Sequence, residues 1–153
     1  MPIEMVHIDH TPEGGRFRIK HHLTRDEISE YSSDKWRWRI INIWRPLCTE
    51  VKDMPLAILD PKSVDPQDIL ETDQVGPQYA GETSYVLFSP NQRWYWLRNQ
   101  TCEEVTLFTC FDSHAKHPYS NSCPHASFKD ETAPKNCPPR ESVELRCIVL
   151  SKI

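Results

Sequence analysis

Apolar and polar residues alternate along much of the chain, which is the pattern of β-strands with one buried face. The clearest case is KWRWRIINIW (residues 35–44), in which every second residue from 36 to 44 falls on one face. Shorter segments of this kind are PLAILD, the strand–turn–strand segment TSYVLFSPNQRWYWLRN, EEVTLFTCFDS, PHASF and SVELRCIVLSKI. The pattern predicts six or seven short strands and a mainly β fold, either a barrel or a sandwich.

Helical signals are few. Thr24 and Glu27 have the spacing of a capping box, and apolar residues follow at helical intervals, so we expect a helix over residues 25–33. A second, short helical turn is predicted to begin at Asp65-Pro66, because proline suits the first position of a helix.

Composition and charge narrow the class of protein. A length of 153 residues fits one domain, which we place at residues 1–153. The net charge of −4 argues against a partner that is a nucleic acid or an anionic membrane. No apolar run approaches the ~20 residues of a membrane span, and the start of the chain has no signal-peptide pattern. We therefore expect a cytoplasmic protein whose six cysteines are reduced thiols.

Candidate metal ligands begin at His7-Ile8-Asp9. On a strand, His7 and Asp9 point to the same face, and two histidines with one carboxylate are the set that suits non-haem Fe(II). The alternative is an exposed polar segment. Among the histidines farther along, His125 is the best third ligand, because it follows Pro124 and opens a short strand. The other candidates for this position are His10, His21, His22, His114 and His117.

A carboxylate receptor is indicated at the start of the last strand. Arg140 and Ser142 are two residues apart and share a face, where a guanidinium and a hydroxyl bind a carboxylate well. A solvated turn is the alternative interpretation. Glu144 and Arg146 lie on the same side, and their spacing allows an ordinary surface salt bridge.

A zinc site is a third interpretation of the polar residues. Cys123, His125 and Cys137 offer suitable ligand atoms, but their spacing fits no C-x2-C pattern.

The order of these motifs matches that of 2-oxoglutarate-dependent iron oxygenases. The segments HIDHTP, IINIWRPL, PLAILD, WYWLRNQTCEEVTLFTCFDS, PHASF and PPRESVELR resemble the fungal AsaB-type hydroxylase/desaturase family over nearly the whole chain. That family is also similar to the protein that partners cephamycin 7α-methoxylation. Its enzymes hydroxylate, desaturate or cyclise intermediates of secondary metabolism, using molecular oxygen and a small-molecule substrate.

The resemblance implies a role for particular residues. His7, Asp9 and His125 would bind Fe(II), and Arg140 with Ser142 would bind the distal carboxylate of 2-oxoglutarate. Asn42 and Arg45 match a family block, NIWRP, which lines the site in this interpretation, and Asn42 is taken as a further cofactor-binding residue.

The resemblance also implies a double-stranded β-helix, or jelly-roll, core that is incomplete at its N-terminus. Family members carry a long portion before H-x-D, whereas six residues precede it here. We therefore expect an unpaired sheet edge and an uncovered apolar face. The alternative is a truncated, catalytically inactive family member, which either serves as a binding protein or has no function.

Overall fold

The computed structural model describes residues 2–77 and 79–153, so Met1 and Gln78 of the predicted domain lie outside the described residues. The described part is mainly β, as predicted. Its strands are β1 (His7–Ile8), β2 (Trp36–Pro46), β3 (Leu56–Leu59), β4 (Ile69–Gly76), β5 (Tyr79–Val86), β6 (Trp94–Trp96), β7 (Thr106–Asp112), β8 (His125–Ser127) and β9 (Ser142–Lys152). Its helices are α1 (Pro12–His22), α2 (Arg25–Tyr31) and two 3-10 turns, Pro61–Ser63 and Pro66–Asp68. None of the described helices is long and apolar enough to cross a membrane.

The strands form two antiparallel sheets. One has six strands in the order β4-β5-β1-β8-β3-β6, and the other has three in the order β7-β2-β9. Their facing sides bury a common core that includes Trp38, Ile40 and Trp44 of β2 and Leu56 of β3. This packing of two antiparallel sheets is that of a jelly roll, which confirms the expected fold class.

Two elements of the prediction are confirmed. The helix expected over residues 25–33 is α2, and the capping box between Thr24 and Glu27 is formed in both directions. The short turn expected at Asp65-Pro66 is the 3-10 turn Pro66–Asp68, in which the Asp65 side chain accepts a hydrogen bond from the Gln67 N–H.

Other elements differ from the prediction. The segment TSYVLFSPNQRWYWLRN contributes the end of β5 and all of β6, but these strands do not pair, because β6 pairs with β3. Strand β4 is absent from the prediction because seven of its eight residues are exposed, so no face of it is apolar. It forms because its backbone pairs with β5 along the whole length.

Helix α1 directly follows the H-x-D segment and is also absent from the prediction, because two glycines and a mostly polar composition hide it. Thr11 caps it by accepting a hydrogen bond from the Gly14 N–H at 2.9 Å, and Pro12 takes the first position. The helix packs tightly on β7, since a Cβ atom at Gly15 would lie 2.4 Å from the Phe111 ring. Gly15 therefore permits the close approach that positions α1.

The outer side of the three-stranded sheet has an open apolar patch. Leu107 and Leu145 flank Ile43 in one row across it, and their exposed fractions are 63% and 56%. In the described part of the chain, β9 pairs on one side only. The expected uncovered apolar face and unpaired edge are both present.

The tight packing of α1 leads to a prediction. Gly15→Ala is expected to lower the free energy of unfolding by about 1–3 kcal/mol, because the added methyl group overlaps the Phe111 ring. Chemical denaturation measures this loss. Lys20→Ala, at an exposed position of the same helix, is the control and should leave stability within about 0.5 kcal/mol. An equal effect of both changes would show that α1 is not closely packed.

Candidate metal centre

The structure brings together the three residues proposed as metal ligands. One ligand atom each from His7, Asp9 and His125 lies within 4.8 Å of the others. The sheet register explains this, because β1 and β8 are antiparallel neighbours in which His7 and His125 are directly opposite. Directly opposed residues share a face of the sheet, and Asp9 follows two residues after His7. The ring centroids of His7 and His125 are 4.4 Å apart.

Both imidazoles are oriented by backbone carbonyls. Nδ1 of His7 donates to the carbonyl of Met5 at 2.8 Å, and Nδ1 of His125 donates to that of Cys123 at 3.1 Å. The two Nε2 atoms therefore keep their lone pairs and lie 3.7 and 3.9 Å from Oδ1 of Asp9. Burial lowers the pKa of His125 to about 4, so its imidazole is neutral at physiological pH, as a metal ligand must be.

Asp9 is held by side chains from the other sheet. Its Oδ2 accepts hydrogen bonds from Nδ2 of Asn42 at 2.6 Å, Nε of Arg146 at 2.9 Å and the Cys110 thiol at 3.3 Å. Its Oδ1 accepts from Nη2 of Arg146 at 2.8 Å. Burial alone would raise the pKa of Asp9, but the hydrogen bond and the charge of Arg146 hold it well below its ordinary value. The carboxylate is therefore ionised.

The donor set fits a divalent metal ion. Ligand atoms bound at about 2.1 Å to one ion lie roughly 3 to 4 Å apart, and the two separations from Oδ1 of Asp9 fall in this range. Two imidazoles and one carboxylate are typical of non-haem Fe(II) sites that leave the remaining coordination positions open.

Arg140 and Ser142 line a cavity of about 210 Å³ that also reaches His7 and His125. Nη1 of Arg140 donates to the carbonyl of Met54 at 2.5 Å and to Oγ of Ser127 at 2.8 Å. Its Nε is buried without a hydrogen-bond partner. In the described part of the chain, no carboxylate forms an ion pair with Arg140. A half-buried guanidinium with an unused donor suits a ligand carboxylate.

Asn42 has a different position from the one expected. Its amide bridges Oδ2 of Asp9 and, at 2.5 Å, Oε1 of Glu144, and it does not line the cavity of Arg140. Asn42 therefore contacts the proposed metal site through its hydrogen bond to Asp9. Arg45 lies outside the site, is exposed, and donates to the carbonyl of Cys102 at 2.7 Å.

Arg146 is the residue whose role the sequence did not indicate. A surface salt bridge with Glu144 was expected, and Nη2 of Arg146 does lie 3.7 Å from Oε1 of Glu144. Its shorter contacts are with Asp9. The alternation along β9 places Arg146 on the same face as Ser142, and this was the available signal.

A second cavity, of about 430 Å³, is lined by His7 and Asp9. Its polar lining is mostly side chains near the start of the chain and on β4 and β5: His7, Asp9, His10, Arg18, Gln74 and Thr83. His10 is 7% exposed, and its Nε2 has no partner. Burial lowers the pKa of His10, so its imidazole is neutral.

The alternative zinc site is not formed. Among the described residues, the one cluster of potential ligands is that of His7, Asp9 and His125. Cys123 instead packs in the core, and burial raises the pKa of its thiol to about 12. The interpretation of Cys123, His125 and Cys137 as zinc ligands is therefore wrong.

Comparisons with known proteins agree with this chemistry. The family described as oxidoreductase/YMDC permease-like domain matches residues 1–150. The Fe(II)/2-oxoglutarate-dependent dioxygenase nvfI of Aspergillus novofumigatus is 33% identical over 97% of this chain and 52% of its own length. The hydroxylase/desaturase asaB of Aspergillus flavus is 34% identical over 75% of this chain and 56% of its own length.

The fold comparison points to the same relatives. The solved structure of the iron and alpha-ketoglutarate-dependent endoperoxidase NvfI has a TM-score of 0.88 and 31% identity. The match covers 100% of this chain and 56% of the chain in that structure. The chain thus spans about half the length of the curated relatives it matches.

The geometry predicts metal-dependent stabilisation. Under anaerobic conditions, Fe(II) at about 100 times its dissociation constant should stabilise the protein by about 2.7 kcal/mol. This corresponds to a rise of roughly 5–10 °C in Tm, measured by differential scanning fluorimetry. His125→Gln should abolish the rise, whereas His117→Gln, at an exposed loop position, should retain it. A rise that survives in His125→Gln would place the metal elsewhere.

Proposed function

The chain belongs to the family described as oxidoreductase/YMDC permease-like domain. On that premise, and on its similarity to nvfI and asaB, we propose that the protein is an Fe(II)/2-oxoglutarate-dependent oxygenase. The observation that carries the proposal is one cavity lined both by the two imidazoles and by a half-buried arginine. Such a cavity can place a keto acid between a metal ion and a carboxylate receptor.

The metal ion would be held by Nε2 of His7, Nε2 of His125 and Oδ1 of Asp9. Bound there, Fe(II) with 2-oxoglutarate would supply the activation of oxygen that removes hydrogen from an unactivated C–H bond. The chain orients the two imidazoles through backbone carbonyls and keeps Asp9 ionised through Arg146. With three protein ligands held in this way, an Fe(II) ion would have coordination positions left for 2-oxoglutarate and oxygen.

The 2-oxoglutarate carboxylate would bind to Arg140 and Ser142. Arg140 is held in place by Met54, Ser127 and the face of Trp44, whose ring centre lies 5.3 Å from the guanidinium carbon. These contacts occupy one Nη atom and leave Nε for a ligand. Because the guanidinium is already positioned, little side-chain entropy is lost on binding.

The substrate would be a small organic molecule, an intermediate of secondary metabolism, bound in the cavity of about 430 Å³ beside His7 and Asp9. Hydroxylation and desaturation begin with the same hydrogen removal, and relatives bear both names. We assign residues 1–153 to a single oxygenase-like β-barrel domain that corresponds to the C-terminal part of the relatives' chains. The six unpaired cysteines support a reducing compartment, the cytoplasm.

The alternative of an inactive binding protein is not favoured. An inactive copy has no need to keep buried polar residues in register, because buried polar groups without a function are costly to retain. Here the three ligand residues, their orienting carbonyls and the half-buried Arg140 are all in place.

Binding of 2-oxoglutarate tests the proposal directly. Under anaerobic conditions, Fe(II) and 2-oxoglutarate together should give a weak visible charge-transfer band that neither gives alone. Arg140→Gln should raise the half-saturating concentration of 2-oxoglutarate by roughly 10- to 100-fold, because a charge-assisted pair contributes about 1.5–3 kcal/mol. Arg45→Gln is the matched control and should leave it unchanged. If the unchanged protein binds Fe(II) but gives no band, the assignment of 2-oxoglutarate is refuted.

A further inference from the structure

Arg146 lies beside the negatively charged residue of the proposed metal site. It stands on β9 directly opposite Asn42 of β2, so both side chains point into the space between the sheets. Its guanidinium contacts both oxygens of Asp9, Oδ2 through Nε at 2.9 Å and Oδ1 through Nη2 at 2.8 Å.

The contact with Oδ1 matters most, because Oδ1 is the oxygen that faces both imidazoles. It lies 3.7 Å from Nε2 of His7 and 3.9 Å from Nε2 of His125, so a metal ion held by all three residues would bind this oxygen. Asn42 and Cys110 contact only Oδ2 and leave Oδ1 free. Arg146 is therefore the one side chain of this group that shares an oxygen with the metal ion.

Burial explains why Asp9 has such a partner. The side chain of Asp9 is 5% exposed, and a buried carboxylate without a countercharge is strongly unfavourable. The side chain of Arg146 is 53% exposed, so it can withdraw from Asp9 towards solvent. Glu144, whose Oε1 is 3.7 Å from Nη2, is an alternative partner on the same strand.

We propose that Arg146 is the resident countercation of Asp9 and competes with the metal ion for Oδ1, so that it sets the metal affinity of the site. Arg146 is thus a positioning residue that acts through Asp9. The inference rests on the proposed function, which supplies the metal ion. Whether Arg146 leaves Oδ1 or remains beside the ion, its positive charge weakens metal binding.

The competition also links the metal ion to 2-oxoglutarate. Arg146 lines the cavity of Arg140 as well as the larger cavity, so an anion bound there lies near it. The two negative charges of 2-oxoglutarate would offset the positive charge of Arg146. The increase in metal affinity on adding 2-oxoglutarate should therefore be larger when Arg146 is present than when a neutral residue replaces it.

The test compares a neutral with a charged replacement of Arg146. Mn(II), an oxygen-stable probe for the Fe(II) site, is titrated by isothermal titration calorimetry. Arg146→Gln should bind Mn(II) about tenfold more tightly than the unchanged protein, because a competing charge is gone. Arg146→Lys retains the charge and should bind with nearly unchanged affinity. Arg45→Gln removes an arginine outside the site and should also have no effect.

Two further readouts separate competition from a structural role. The Tm of metal-free Arg146→Gln should fall, while its rise on adding Mn(II) should exceed that of the unchanged protein. The gain in Mn(II) affinity on adding 2-oxoglutarate should be smaller in Arg146→Gln. Weaker Mn(II) binding by Arg146→Gln would show that Arg146 supports the metal site, and equal effects of Gln and Lys would exclude a role for charge. Either result overturns the inference.

The failure of this inference is distinguishable from failure of the proposed function. If the unchanged protein binds Mn(II) and His125→Gln does not, the metal site stands, and an unaltered affinity in Arg146→Gln refutes only the role of Arg146. If neither the unchanged protein nor Arg146→Gln binds Mn(II), both are refuted. Binding by Arg146→Gln alone would support the role of Arg146 and contradict the metal binding predicted for the unchanged protein.

Discussion

The buried carboxylate of Asp9 is the interaction on which both the site and the contact between the two sheets depend. The six-stranded sheet carries it, directly after β1, while its partners Asn42 and Arg146 come from the three-stranded sheet. An ionised carboxylate this deeply buried costs several kcal/mol unless it is paired. The same hydrogen bonds that stabilise its charge therefore also fix how the two sheets face each other.

The sequence indicated part of this site. Alternation along a strand places His7 and Asp9 on one face, and the family resemblance named His125, Arg140 and Ser142, all of which line or approach the same cavity. The role of Arg146 could not be predicted from the sequence. The alternation along β9 placed Arg146 on the face of Ser142, but its contact with Asp9 also depends on the register of β9 against β2, which brings together residues far apart in the chain.

The elements that the sequence did not predict are those whose formation depends on distant partners. Helix α1 has little amphipathic pattern, and it is fixed by the cap at Thr11 and by the space that Gly15 leaves for the Phe111 ring. Strand β4 has no buried face, and it is fixed by backbone pairing with β5. Strand β2 was visible because the burial of one face leaves a periodic trace in the sequence, and β9 was visible because its open outer face is apolar at alternate positions.

The two kinds of metal ligand are held in different ways, and this determines what can perturb them. The imidazoles of His7 and His125 take their orientation from carbonyls two residues earlier in the chain, so their geometry is local. The carboxylate of Asp9 takes its orientation from β2 and β9 in the other sheet. The outer face of that sheet has an open apolar patch, and β9 is its edge. A contact that shifts β9 against β2 would therefore change the partners of Asp9 while leaving the imidazoles in place.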